Sequence, residues 1–546
     1  MAKKSLLKLT DWVSVGTTCL LLSVLYFFAY GFYGFSDTDQ GFIQGLSWRV
    51  LQGEIPYLDF TYVRPPLSIY LHSLGLLLPM PILLSRLFFY LNCGLSVWLC
   101  TRSLQQYFDF QPIGISPTIF AAISYVCVVH NFPPMPWHTT DGLLFASLGI
   151  YGIATGKGIA PTVWGLLALV LAALCKQSFY PLLVVGPLLV LILKESSDAK
   201  WSIGLYMGIL FVLGLILFFG MQDAFMAFLN QSRGVSSFSD LLEVGLFKYG
   251  KPLLLILVPV LLVWRLEQDL ILPNFWKFVP AIIFWLFFGS LLSYHVYRAL
   301  ISREFLAPSF GFSQAFFLLA VGVTLRGTWI NTRSYSLLLA MLIVAWCAGL
   351  SWGYARTSLF FTPVLFAFFL MLYDDLEFRV PRYFYGVVFI LLAWTYGVMY
   401  QFPYRSAPRE ETTFHAGDIF SKMYGIQVGE EMYRKCEELS KMSSKYTPRV
   451  TVLPSFPLAN FLTNTTNPLR IDWAHNAEIG GIQQLPTLIQ QLDSSDSYVF
   501  MEKDKLREFT DSTRYGSLLS GHVVQNWTPI EEGEYFTVYS LSVPNP

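Results

Sequence analysis

The stretch GFSDTDQGFIQGLSWRVLQGEIPYLDFTYVRPPL, residues 34–67, decides how this chain is read. It follows an apolar run, near 13–31, that is long enough to cross a bilayer, yet it carries acids, arginines and prolines. A helix is expected through Gly41–Leu51, with Phe42 and Leu46 on one face and Trp48 and Leu51 continuing that apolar side. Ser36 or Asp37 is placed to cap its first turn, and Gly53 ends it. Such a helix would lie along the membrane surface as a moderately amphipathic element. Pro56-Tyr57 begins a turn, and Arg64-Pro65-Pro66-Leu67 opens the next segment, proline being tolerated in a first helical turn. The apolar run 67–80 is shorter than a span and reads as a second surface or re-entrant helix.

Composition sets the frame around this loop. Hydrophobic residues make up 54% of the 546 and charged residues only 13%, and the mean hydropathy is +0.51. These values exclude an ordinary soluble enzyme and fit a polytopic all-α membrane protein. Apolar blocks near 13–31, 80–100, 114–130, 139–155, 161–175, 178–194, 201–219, 250–265, 276–294, 309–325, 334–350, 357–372 and 384–401 suggest about 13 transmembrane helices. Lys3, Lys4 and Lys8, with Arg102, Lys157, Lys194, Lys200, Arg326, Arg333, Arg379 and Arg382 in later short connections, place the N-terminus in the cytoplasm. An odd number of spans then carries residues 402–546, and the loops 32–79, 131–138, 220–249, 295–308 and 351–356, to the other side.

The chain divides at residue 401. Residues 1–401 are the membrane domain, and 402–546 form an extracytoplasmic soluble α/β domain with a core of its own. In that tail EEMYRKCEELSKMSSKY (430–446) reads as an exposed helix, and RVTVLPSFP, YVFMEKD and EYFTVYSLSV read as strands. The tail holds a surplus of acids, so a basic nucleic-acid surface is not suggested and nucleic acid is not an expected partner. Its single cysteine, Cys436, closes no internal disulfide, and no cysteine spacing suggests zinc.

A carboxylate fixed at a membrane face beside apolar groups keeps its charge while poorly solvated, which suits a general base. Asp37 and Asp39 are the candidates, and both residues serve equally well as helix caps on local grounds. Among the cations of the same face, Lys176, Arg64, Arg298 and Arg303 are candidates for binding an anionic group, and Trp352 and Arg356 for contacting a lipid or the tail. Asp141, which follows His138 at the start of a span, is costly if lipid-facing and is expected to face a cavity or to cap its helix.

The order Asp39-Gln40-Gly41, Gly53-Glu54-Ile55-Pro56-Tyr57, Asp59, Arg64-Pro65-Pro66-Leu67 resembles the first non-cytoplasmic loop of the GT-C superfamily of membrane glycosyltransferases. Its bacterial branch related to protein O-mannosyltransferases and aminoarabinose transferases is the nearest in pattern. Trp137-His138-Thr139-Thr140-Asp141-Gly142 is similar to that family's second acidic position, and Leu174-Cys175-Lys176-Gln177 to its Leu-x-Lys-Gly/Gln element. One departure stands out: where the family commonly has Asp-Glu, this chain has Asp39-Gln40, with Asp37 two residues earlier.

The resemblance implies an inverting transfer of a sugar from a polyprenyl-phosphate carrier to a glycan, lipid or protein acceptor of the cell envelope. Catalysis would rest on Asp39, or on Asp37, with Gln40 hydrogen-bonding the acceptor or orienting a backbone group. Asp141, His138, Lys176, Arg64, Tyr57, Asp59, Arg298 and Arg303 would bind substrates. The lipid-linked sugar donor, with membrane lipids around it, is the only small-molecule requirement implied; a divalent metal on Asp39, His138 and Asp141 is conceivable. The inner (plasma) membrane of a bacterium is the expected location. A lipid or solute transporter or flippase, and a non-catalytic GT-C-like membrane subunit, are the alternatives.

Overall fold

The computed structural model of the chain describes residues 2–111, 113–233, 310–350, 360–374, 401, 403–476, 478–479, 482–509 and 516–541. The spans expected near 250–265, 276–294 and 384–401 lie outside them, apart from Gln401. The membrane part is a stack of helices, numbered here through the described residues. They are α1 (Ala2–Tyr30), α2 (Phe42–Leu51), α3 (Leu67–Leu76), α4 (Pro81–Tyr107), α5 (Pro117–Val129), α6 (His138–Thr155) and α7 (Ile159–Cys175). Then come α8 (Leu182–Leu193), α9 (Ser196–Gly220), α10 (Gln222–Arg233), α11 (Phe310–Ile330), α12 (Thr332–Gly349) and α13 (Thr362–Asp374). Each of the ten described spans expected from the apolar runs coincides with one of these helices.

Four helices are long and apolar enough to cross a membrane by length and composition: Trp12–Tyr30 within α1, then α4, α9 and α12. Of α9's apolar window only 6% is buried in protein, and Phe211, Phe219 and Trp201 stand out from it. A surface that apolar marks a membrane-associated protein. Elsewhere the helices meet closely. α6 and α7 cross where a Cβ on Gly165 would stand 2.8 Å from both Gly149 O and Ile153 N, so the crossing depends on glycine.

The chain breaks between α7 and α8 at Lys176, whose backbone is extended (φ −157°, ψ 139°), and a single 3₁₀ turn, Gln177–Phe179, bridges the gap. The near-contact of two apolar runs around Cys175-Lys176-Gln177 is thus a real interruption that leaves a buried lysine at a helix end.

The C-terminal region is a small mixed α/β unit. A short antiparallel pair joins β1 (Phe414–His415) to β2 (Gln427–Val428). The main sheet has the order β3-β4-β6-β5, from β3 (Val450–Leu453), β4 (Tyr498–Glu502), β5 (Thr528–Glu532) and β6 (Phe536–Ser540). β3 and β4 run parallel, and the β5–β6 hairpin closes antiparallel onto β4. Around it lie α14 (Glu430–Lys445), α15 (Ala459–Thr463), α16 (Leu485–Ser494), α17 (Lys503–Phe509) and α18 (Leu518–Asn526). The three strands expected in the tail exist; β5, whose Pro529 and paired glutamates mask its pattern, was not anticipated.

Two expectations are corrected. α2 does not lie open on a membrane surface: Phe42, Ile43, Gln44, Gly45, Leu46, Ser47 and Arg49 are all buried, because α3 covers one side and the C-terminal unit another. Gly41 and Gly45 make that second contact possible, since a Cβ on Gly45 would fall 2.3 Å from Pro457 O and one on Gly41 2.5 Å from Leu458 Cβ. Burying Ile43 and Leu46 contributes about 1.5–3 kcal/mol each. Likewise α14 is not simply exposed, as it buries Lys435, Cys436, Leu439 and Met442 along one face.

Candidate functional site

The loop's acids part company at once. α2 starts after Gly41 with no side-chain cap, so the capping roles expected of Ser36 and Asp37 are not taken. Ser36 Oγ instead meets Thr38 Oγ1 at 3.0 Å. Asp37 reaches into the C-terminal unit, where its two oxygens sit 2.7 Å from Lys435 Nζ and 3.1 Å from Lys505 Nζ. Lys435 also bonds Glu502 (2.8 Å) and Asp504 (3.3 Å), and Glu502 accepts from the Ser455 amide at 2.8 Å. Burial alone would push the Asp37 carboxyl up, but the charges of Lys435 and Lys505 outweigh it and hold it below the usual range. Glu502, wholly buried, stays raised because burial and the nearby Asp37 exceed what Lys435 gives back.

Asp39, two residues on, faces another way. Its Oδ2 accepts from Tyr404 Oη and pairs with Arg405 Nη1, both at 2.7 Å. The Asp39 side chain is 13% exposed and Arg405 49%. Gln40 turns inward, and its Oε1 accepts from Arg86 Nη2 at 2.7 Å. Arg86, 2% exposed, has no carboxylate partner among the described residues, and its remaining bonds go to the carbonyls of Gly31, Tyr33 and Gly34. Gln40 therefore anchors the turn carrying Asp39.

Further along, Tyr57 and Asp59 build the loop. Tyr57 takes a left-handed backbone (φ 72°), rare for a bulky residue, and is held there by its hydroxyl on Arg64 O at 2.7 Å. Asp59 Oδ2 accepts from the Ile55 amide at 2.7 Å. Arg49 pairs with Asp472 (2.6 Å) and Glu54 (2.8 Å). Arg64 makes a two-pronged pair with Glu478 at 2.7 and 2.6 Å while lying 5.0 Å over the Phe42 ring. Arg64 and Arg49 are both held above the ordinary arginine range, burial being more than offset by these acids.

A second polar group gathers where α3, α6 and α7 end. Asp141 does not cap α6, which starts after Trp137 with no side-chain cap; its Oδ2 lies 3.0 Å from His72 Nε2 on α3. Lys176 Nζ donates to Thr139 Oγ1 at 3.0 Å and to Leu350 O, and has no carboxylate partner among the described residues. His138 packs on Trp137, ring centres 4.7 Å apart, with its Nδ1 buried and unbonded. α10 joins the same end of the molecule through Gln231, which bonds the Tyr62 amide and Tyr57 O. The loops 32–79 and 131–138, the start of 220–249 and the C-terminal unit thus converge at one end of the bundle.

Arg298, Arg303, Trp352 and Arg356 lie outside the described residues. The conceivable metal set of Asp39, His138 and Asp141 does not assemble: among the described residues no group of three or more His, Cys, Asp or Glu side chains is placed to hold an ion. Asp39 and Asp141 have each turned to separate partners. Sequence reading missed Arg86, His72, Lys435, Tyr404, Arg405 and Glu478. Only Lys435 carried a local signal, since it falls on the face traced by Met432, Cys436, Leu439 and Met442. Comparison with protein-family models and with curated proteins finds no match to this chain.

Proposed function

We propose that the protein is a GT-C-like inverting glycosyltransferase that moves a sugar from a polyprenyl-phosphate carrier to an envelope acceptor, at the non-cytoplasmic face of a bacterial inner membrane. The observation that carries this reading is the state of Asp39. Of the four acids in the first loop, Asp37, Glu54 and Asp59 are committed to a buried lysine, a buried arginine or a backbone amide. Asp39 alone is paired with a half-exposed cation, Arg405. A pair of that kind is worth ~0–1 kcal/mol, so an acceptor hydroxyl can replace it at little cost.

In the reaction, the acceptor hydroxyl gives its proton to Asp39 as its oxygen bonds the anomeric carbon. The anomeric bond to phosphate breaks on the opposite face, and the electron pair leaves with the lipid phosphate. Lys176 supplies the positive charge this leaving group needs, because Arg64 is already neutralised by Glu478. One carboxylate suffices, whereas a hydrolase needs two.

The test is Asp39→Asn in the full chain, with transfer from the carrier and thermal stability measured together. Transfer should fall about 10²–10⁴-fold with the fold intact. Unchanged transfer would move the base elsewhere, and absence of any transfer by the unaltered protein would favour a transporter or a non-catalytic subunit.

A further inference from the structure

Buried polar atoms in folded proteins nearly always find a partner, and each that does not costs about 1–3 kcal/mol. Here three such atoms belong to one connected run of aromatic contacts. Phe42 sits 4.8 Å from Trp473, 6.1 Å from Trp137 and 6.4 Å from Tyr62, measured between ring centres. Tyr62 Oη, Trp473 Nε1 and His138 Nδ1, whose ring centre lies 4.7 Å from that of Trp137, are all buried with no hydrogen-bond partner. Tyr62 and His138 are each 1% exposed. Three elements far apart in the chain (the first loop, the start of α6 and the C-terminal unit) have each brought a side chain with an unanswered polar group to this one aromatic cluster.

The character of these groups selects the ligand. Of the charges beside them, Arg64 is answered by Glu478 and Asp141 meets His72, which leaves Lys176 as the cation without a carboxylate partner among the described residues. What remains open is a hydroxyl, an indole N–H and a ring nitrogen, all uncharged or able to be so. An anion would leave acceptor capacity idle, whereas hydroxyl groups donate and accept and satisfy all three. Aromatic faces match the C–H faces of a pyranose ring. Resting on the transferase reading, which assigns the carrier's phosphate to Lys176, we propose that the ring of side chains around Phe42 is the subsite that holds the monosaccharide of the donor, with Tyr62, His138 and Trp473 hydrogen-bonding its hydroxyls.

The full-length protein carries its own probe, the polyprenyl lipids that co-purify with it. Mass spectrometry of the extracted lipid gives the ratio of sugar-bearing to sugar-free polyprenyl phosphate. Tyr62→Phe and His138→Gln should each lower that ratio about tenfold, the loss of one hydrogen bond, with total polyprenyl phosphate and melting temperature retained. Trp473→Phe keeps an aromatic ring, removes only the N–H donor from a different part of the chain, and should give the same result. A ratio unchanged in all three overturns the sugar subsite and leaves the transferase reading standing, as does unaltered protein that carries only sugar-free polyprenyl phosphate. Unaltered protein with no polyprenyl phosphate of either kind overturns both.

Discussion

The two polar clusters that flank the loop between α1 and α3 obey opposite rules. Around Lys435, Asp37, Glu502, Asp504 and Lys505, each charged group reaches an opposite charge. Around Phe42, by contrast, Tyr62, His138 and Trp473 keep buried polar atoms unanswered. The first arrangement holds two parts of the chain together, and the second keeps buried polar atoms that no protein group among the described residues answers. The contrast separates what fixes the loop from what the loop serves.

The sharpest way to break this contrast is Lys435→Met. It leaves buried Glu502 without its cation and Asp37 with Lys505 alone, and should cost about 3–5 kcal/mol, read as a lowered melting temperature and faster proteolysis of the C-terminal unit. Asp37→Asn removes one of three acids facing two lysines and should cost less, about 1–3 kcal/mol.

Titration probes the same cluster. Asp37 sits below its unfolded pKa, so its stabilising share is in place above about pH 4 and is lost as the pH falls through its folded value. Lys435 sits above its unfolded pKa, since Glu502, Asp37 and Asp504 outweigh the burial that would lower it. Its share is in place below about pH 10.4 and is lost as the pH rises through the folded value. Glu502 works against both, because its raised pKa makes its ionisation above about pH 4.3 a cost. Protease resistance of the C-terminal unit should therefore weaken at both extremes of pH, and Lys435→Met should flatten the alkaline limb.

Smaller effects sharpen the comparison. Gln40→Glu gives Arg86 the carboxylate it lacks among the described residues and should raise stability by about 1 kcal/mol in thermal unfolding. Tyr62→Phe loses no protein bond and removes a buried unpartnered hydroxyl, so it should not lower stability and should raise it by up to about 1–3 kcal/mol in thermal unfolding.

Much of the scaffold was legible because its signals are local. Gly53 ends α2 with a left-handed φ of 89°, α3 begins directly after Pro66, and the break at Lys176 falls where two apolar runs touch. The site was less legible because its partners are remote. Asp37 looks like a cap until Lys435 and Lys505, 398 and 468 residues later, are brought to it. His72, inside an apolar run, gains meaning only when α6 sets Asp141 beside it. Arg86 and Gln40 stand 46 residues apart on different elements, and neither announces the other. Local pattern fixes where helices begin and end, while pairings between distant segments depend on how those helices pack.

One consequence follows from how far the loop's partners lie along the chain. Asp37, Asp39, Arg49 and Arg64 are each met by residues between Tyr404 and Lys505. During synthesis the loop emerges hundreds of residues before those partners do, and domains form as they are made. A half-made chain therefore holds Asp37, Asp39 and Arg64 without these counterparts until translation has passed that segment.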